Sequence, residues 1–252
     1  MIILNNKEEN FFAAHIADLH DRCFERNIVT HSGFLDLKEQ TAVRAMLRGF
    51  SVRAELFGGY PDAERKALFF LPDYAADCFG DYMEILEASH SPAETVSHRD
   101  YLGALTGLGI TRSSIGDILV SENSAQIFIF RGMEDFLLQS FEKAGRHRLK
   151  ARVLPLSDAL PPAGCAKEVC DTVASLRLDS VVSAAFSVSR RAAAEAIASM
   201  KVAVNDEIVT KCDKTVANGD KIRLRGKGRA FLKESSGRSR KGRIFVKFDV
   251  NV

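Results

Sequence analysis

The chain has 252 residues, 46% of them apolar and 27% charged, with a net charge of +2. That length buries a core and accommodates more than one domain, and that composition excludes a disordered chain. No stretch approaches the ~18 apolar residues needed to cross a bilayer, and the start, MIILNNKEENFF, has no secretory pattern, so a cytoplasmic protein with no membrane contact is expected.

The first segment, 1–78, opens with a helix at about 8–26, where Phe12, Ile16, Leu19 and Cys23 form one apolar stripe. A second helix is expected at about 35–48, ending at Gly49 as a C-cap. SVRAELF, the turn GGYPD and KALFFL then read as a β-hairpin. The second segment, 79–155, reads as DYMEILEAS strand, HRDYLGALTGL helix, IGDILVS strand, AQIFIF strand, MEDFLLQSFEKAG helix and LKARVLPL strand. That βαββαβ order is the ferredoxin-like, RRM-type arrangement, which many folds that never touch RNA share. Phe128 and Phe130 lie on one strand face. They suit either base stacking or core packing, and the apolar Ile127 and Ile129 favour a strand buried on both faces.

A linker is expected over 156–172, where the prolines and glycine of LPLSDALPPAGCAKE interrupt regular structure. The third segment, 173–252, begins with two short helices. Ser175 caps the first, whose inner face is Leu178, Val181, Val182, Ala185 and Phe186, and Ser189 caps the second, which turns Ala193, Ala196, Ile197 and Met200 inward. KVAVN reads as a strand ending in a turn at Asn205-Asp206, and NGD at 218–220 leads into KIRLRGKGR. The expected fold is thus α+β throughout: a helical and hairpin region, an RRM-like middle domain and a small α+β C-terminal domain.

Charge is divided unevenly. Residues 171–252 carry 17 Lys and Arg against 9 Asp and Glu, whereas residues 1–170 carry 18 against 24. A basic end on an acidic body points to a polyanionic partner. Arg190 and Arg191 stand in the first turn of a helix, where the macrodipole disfavours cations but exposed N–H groups favour anions, so they are candidate phosphate ligands. Strand alternation places Lys221, Arg223 and Arg225 on the face opposite Ile222 and Leu224, with Lys227 and Arg229 continuing the series. A solubilising sheet edge is the competing reading of that strand.

At these residues the third segment resembles the S-four RNA-binding domain, through SLRLDSVVSAAFSVSRRAAAEAI, VAVND and GDKIRLRGKGR. The resemblance implies RNA contacts at Arg177, Ser189, Arg190, Arg191, Lys201 and Asn205, with Asp179 orienting Arg177 or capping backbone. Met200 stands where that family commonly has glycine, at the end of the second helix. HRDYLGALTGLGITRSSIGDILV, AQIFIF, FGGYPDAER and SRKGRIFVKF extend the resemblance to the bacterial YlmH family over most of the chain. This implies a non-enzymatic, monomeric protein that binds rRNA and tRNA on the large ribosomal subunit with peptidyl-tRNA, in rescue of stalled translation, without a cofactor. The alternatives are an RNA-modifying enzyme (a pseudouridine synthase or methyltransferase) with an S-four targeting module, and a cell-division adaptor.

Other signals carry less. HRD at 98–100 lacks the asparagine, glycine-rich loop and DFG of a kinase. Capping of a helix is its simpler role, with His98, Arg99 and Arg112 as a second candidate RNA or ribosome contact. The five cysteines form no CxxC pair and the histidines lack metal spacing, so no metal site and no disulfide framework are expected.

Overall fold

Periodicity of 3.6 residues folds Asn6–Arg26 into helix α1, whose stripe Ile16, Leu19 and Cys23 is buried. The computed structural model describes residues 6–75, 78–160, 167–240 and 242–251, and they divide into two compact units at 163/164. In the first unit α1 is followed by β1 (Thr30–Leu35), α2 (Leu37–Met46), β2 (Arg53–Phe57) and β3 (Lys66–Leu71). Next come β4 (Met83–Ser89), α3 (His98–Gly107), β5 (Ile115–Val120), β6 (Ser124–Phe130), α4 (Glu134–Ser140), β7 (Lys143–Ala144), β8 (His147–Arg148) and β9 (Lys150–Leu154).

Two antiparallel sheets form, one ordered β1-β3-β2 and the other β5-β6-β4-β9. The second order is the ferredoxin-like one that βαββαβ predicts. β3 is buried on both faces: Leu68 and Phe70 pack under α1 and α2, while Ala67, Phe69 and Leu71 meet Met83, Ile85 and Phe128 of the second sheet. β6 repeats the device, with Ile127 and Ile129 packing under α3 and α4. The layers therefore run helix, sheet, sheet, helix, and segments 1–78 and 79–155 share one core. Phe128 is fully buried and Phe130 stacks on His31 at 4.5 Å. The strand aromatics are core, and the sheet face on which RRM domains stack bases is covered.

Several expectations are corrected. β1 was not legible, because THSGFL has no alternation. A bulge between His31 and Phe34 and the close approach of Gly33 to Ser113 place it instead. α2 stops at Met46 and a 3₁₀ turn carries the chain through Gly49. α4 ends at Ser140, because the left-handed Gly145 turns the chain into the β7–β8 hairpin.

The second unit contains β10 (Lys167–Val173), α5 (Leu178–Ala185), α6 (Arg190–Ala198), β11 (Val202–Val204), β12 (Glu207–Ile208), β13 (Lys221–Leu224), β14 (Gly228–Arg238) and β15 (Ile244–Asn251). Its six strands lie in the order β10-β15-β14-β13-β11-β12, all antiparallel. α5 and α6 bury Val181, Val182, Ala193 and Ile197 against Val202, Ile222, Leu232 and Phe248. The expected 156–172 linker is shortened by β10, which pairs with β15 from Lys167 to Val173. Residues 161–166 of that linker, Cys165 included, lie outside the described residues. α5 is capped at Arg177 rather than by Ser175.

The loop between β2 and β3 locks the two sheets together. Gly59 has φ +97°, and a Cβ there would lie 2.1 Å from Phe128 Cδ1. Gly109 has φ +82° but open space around it. Gly59→Ala is expected to cost at least about 2 kcal/mol, from left-handed strain plus overpacking. Gly109→Ala carries the strain alone, about 1 kcal/mol. Urea denaturation of the full chain checks the difference, and equal losses would contradict the packing described.

Candidate nucleic-acid interface

Ser189 is the N-cap of α6: its hydroxyl accepts the Ala192 N–H at 3.1 Å, as the sequence suggested. The helix then buries Ala193 and Ile197, which turns Arg190 and Arg191 outward. Their adjacency at a helix start is relieved within the protein. Asp179, at the start of α5, receives Arg190 Nη2 at 3.1 Å and Arg177 Nε at 3.2 Å. Burial pushes the Asp179 carboxyl up, but the hydrogen bonds and charges of Arg177 and Arg190 outweigh it and leave the group below its ordinary value. Arg191 reaches Glu195 at 3.0 Å, one turn on, in a pair whose members are both largely exposed. Two guanidinium groups share one carboxylate, so the α5–α6 corner stays cationic, and the Arg191 pair is the weak, solvent-screened kind.

α6 ends in a left-handed turn made without a glycine. Met200 adopts φ +56°, its N–H donates to Ile197 O at 3.1 Å, and the Lys201 N–H donates to Ala196 O at 2.9 Å. The methionine side chain therefore sits in a left-handed conformation that glycine adopts at lower cost. Lys201 is exposed, and its carbonyl accepts the Arg225 N–H at 2.9 Å, which brings Lys201 beside the β13–β14 turn. Arg225 and Lys227 are exposed on that turn.

The remaining basic residues of the strand are placed differently from the sequence expectation. Arg223 and Arg229 face each other across β13 and β14, and each is only 8% exposed. Lys221 Nζ lies 2.9 Å from Asp206 Oδ2, and Arg223 Nη2 lies 3.9 Å from Asp206 Oδ1. Period two did send these cations to one face. However, the Asn205-Asp206 hairpin turn, with φ of +52° and +64°, sets a carboxylate over that face. Asn205 is likewise spent inside the fold: Nδ2 donates to Asp220 Oδ1 at 2.8 Å and Oδ1 accepts the Lys221 N–H at 2.9 Å. Alternation had no means of revealing Asp206 as the counter-ion, because it arrives from another strand pair.

In the first unit, Ser97 caps α3 and forms a capping box with Asp100. His98 opens the helix, and Arg99 follows it, exposed. Arg112 lies in the Arg112–Ser114 turn, close enough to His98 that its charge adds to partial burial in holding the imidazole below its ordinary value. The residue that organises this corner was not singled out from sequence. Asp117 accepts the Tyr60 hydroxyl at 2.7 Å, the Glu64 N–H at 2.6 Å and the Arg65 N–H at 3.0 Å. The Arg65 guanidinium donates to the carbonyls of Phe34 (2.7 Å), Ile115 (3.0 Å) and Arg112 (3.0 Å). The signal that would have found Asp117 is a lone acid in the apolar strand IGDILV, paired with the FGGYPDAER loop.

Among the described residues no group of His, Cys, Asp and Glu could hold a metal ion, and no helix is long and apolar enough to cross a membrane. A groove of about 320 Å³ between Cys170, Glu234, Phe245 and Lys247 mixes both signs of charge and presents no cationic cluster.

Comparison with known proteins returns the same two modules. Residues 83–158 match a family described as "Putative RNA-binding domain in YlmH", and residues 176–222 match the "S4 domain". The chain is 32% identical over 218 residues to the ribosome-associated protein quality control protein P2 of Bacillus subtilis, covering 86% of this chain and 85% of that protein. The solved structure titled cell division protein ylmH from Streptococcus pneumoniae aligns with TM-score 0.52 at 20% identity, over 64% of this chain and 99% of that one. At that identity it supports the fold alone.

Two substitutions test this geometry. Met200→Gly is expected to raise stability by up to about 1 kcal/mol in chemical denaturation, because relief of left-handed strain exceeds the entropy added to the unfolded chain. Asp179→Asn is expected to lower stability at neutral pH and to flatten its acid limb. With a depressed folded-state value, the Asp179 contribution is present above the unfolded carboxyl value and is lost as pH falls through the folded one. Denaturation between pH 2 and 7 checks this, and parallel curves for variant and wild type would contradict it.

Proposed function

The chain belongs to the YlmH family, that of the B. subtilis ribosome-associated quality control protein, and on that premise we propose that it binds structured RNA on the large ribosomal subunit. In this reading it acts without catalysis, gripping rRNA and peptidyl-tRNA on obstructed subunits so that stalled translation is cleared. The observation that carries the reading is the set of exposed cations at the two ends of α6. Arg177, Arg190 and Arg191 stand at its start, and Lys201, Arg225 and Lys227 stand beyond its end.

The helix has nine residues, roughly 13 Å at 1.5 Å each, so the two clusters reach different phosphates. Such spacing suits recognition of RNA by backbone shape rather than by base identity. Asp179 is a positioning residue: it holds Arg177 and Arg190 in one orientation without touching RNA. The exposed Glu195 is a partner that a phosphate replaces on Arg191, in a stronger, charge-assisted contact. The half-buried, Asp206-paired Lys221 and the buried Arg223 and Arg229 contribute field rather than direct contact.

Co-sedimentation with large subunits carrying peptidyl-tRNA over a salt series tests this. Arg190→Ala/Arg191→Ala is expected to weaken binding about tenfold or more at 150 mM salt and to reduce the slope of log affinity against log salt by roughly 1.5. Equal binding by wild type and variant would remove the arginine pair from the interface. New pseudouridine or methyl groups on RNA incubated with the protein would overturn the non-catalytic reading.

A further inference from the structure

Helix α1 sorts its charges to different sides. At about 100° per residue, Arg22 and Arg26, two positions before and after Phe24, fall on the side of the helix away from it. Asp21, three positions before Phe24, falls on its own side, with Glu25 one turn beyond Asp21. Arg22 is also paired with Asp18 at 3.0 Å. Phe24 is 66% exposed, yet it is held in place. Its ring lies parallel to that of His20, 6.2 Å away. His20 in turn stacks on Phe50 at 4.8 Å, accepts the Ser51 N–H on Nε2 at 3.3 Å and sets Nδ1 2.9 Å from Asp21 Oδ1.

Two more large apolar side chains are exposed at the same end of the helix. Asn27, with φ +51°, turns the chain out of α1, and Ile28 follows it, 44% exposed. Tyr74, 66% exposed, donates its hydroxyl to the Asn27 carbonyl at 3.0 Å. The turn that carries Tyr74 is closed by the Ala75 N–H on Pro72 O at 2.9 Å, and Asp73 within it is exposed. Large apolar groups exposed together within a polar rim mark an interaction surface, and groups already fixed lose little freedom on binding.

Charge selects the occupant. The first unit, 1–163, carries 17 Lys and Arg against 23 Asp and Glu. At this corner the carbonyl end of the α1 macrodipole adds to Asp21, Glu25 and Asp73. Such a field repels phosphate, so the corner is unsuited to RNA. It suits arginine, whose planar guanidinium stacks on aromatic rings and forks onto carboxylates. A protein that itself packs on ribosomal RNA carries such cations to neutralise phosphates.

We propose that the corner formed by Phe24, Ile28 and Tyr74 docks an arginine-bearing segment of a large-subunit protein, so that protein holds the first unit while RNA holds the S-four module. This rests on the ribosomal reading above and adds to it a partner of another class.

The test is co-sedimentation of the full chain with purified large subunits carrying peptidyl-tRNA, with folding of each variant checked by urea denaturation. Phe24→Ala/Tyr74→Ala is expected to weaken binding about fivefold, and Glu25→Lys/Asp73→Lys about tenfold. Phe11→Ala, at an exposed aromatic near the other end of α1, should change nothing. The charge reversal separates partners by sign, because added cations weaken a contact with a cationic segment and strengthen one with RNA. A photoreactive residue at position 24 should crosslink to a ribosomal protein within an arginine-bearing peptide. Unchanged or stronger binding by Glu25→Lys/Asp73→Lys, with wild type binding and Arg190→Ala/Arg191→Ala impaired, overturns this docking corner and leaves the S-four reading standing. Crosslinks from position 24 to RNA alone, or to a second copy of the chain, also overturn it. Failure of wild type to bind large subunits overturns both.

Discussion

Strands that carry bulky apolar residues on both faces gain from burial only when both faces are covered, and two such strands govern the first unit. β3 turns Leu68 and Phe70 one way and Phe69 and Leu71 the other, and β6 divides Ile127 and Ile129 from Phe128 in the same manner. Sheet must then pack on sheet with helices outside, and the four-layer order follows. Each fully buried phenylalanine removes a large apolar surface from water, and truncating one typically costs 3–5 kcal/mol, far more than any single surface contact in the chain. The same burial closes the face that gives RRM domains their base-stacking surface.

Electrostatics sort the basic residues of the second unit into two kinds. Lys221 and Arg223 are held beside the Asp206 carboxylate, which makes covering these cations tolerable, and Arg229 is buried opposite Arg223. Arg190, Arg191, Lys201, Arg225 and Lys227 are exposed to water, where they repel one another only weakly in salt. Asp179 belongs to both kinds. It ties the α5–α6 corner together by taking one hydrogen bond from each of two arginines, which leaves their remaining donors unused by it.

Local order was largely legible. Helical stripes placed α1, α5 and α6, and alternation placed β4, β5 and β6, because these elements repeat one period over enough residues to bury a face. Ser189 as a cap, a helix start at HRD and the Asn205-Asp206 turn were readable for the same reason: each is settled by interactions within a few residues. β1 and β10 were not. THSGFL and KEVCDTV acquire strand geometry only from the neighbours they pair with, β3 and β15, the latter some 75 residues away in the chain.

By itself, then, the amino-acid order determined the α+β class, the ferredoxin-like strand order, the helix pair that presents Arg190 and Arg191, and the concentration of positive charge in the last third. Only the tertiary structure decided which of those charges face water, that Phe128 and Phe130 are core, that Asp179 takes Arg190 as well as Arg177, and that Asp206 is the carboxylate beside Lys221 and Arg223. The reason is one of range. Period and propensity act over a few residues, whereas burial and ion pairing depend on which distant segment closes over a face, and Asp206 over Arg223 or Gly59 over Phe128 is such a closure.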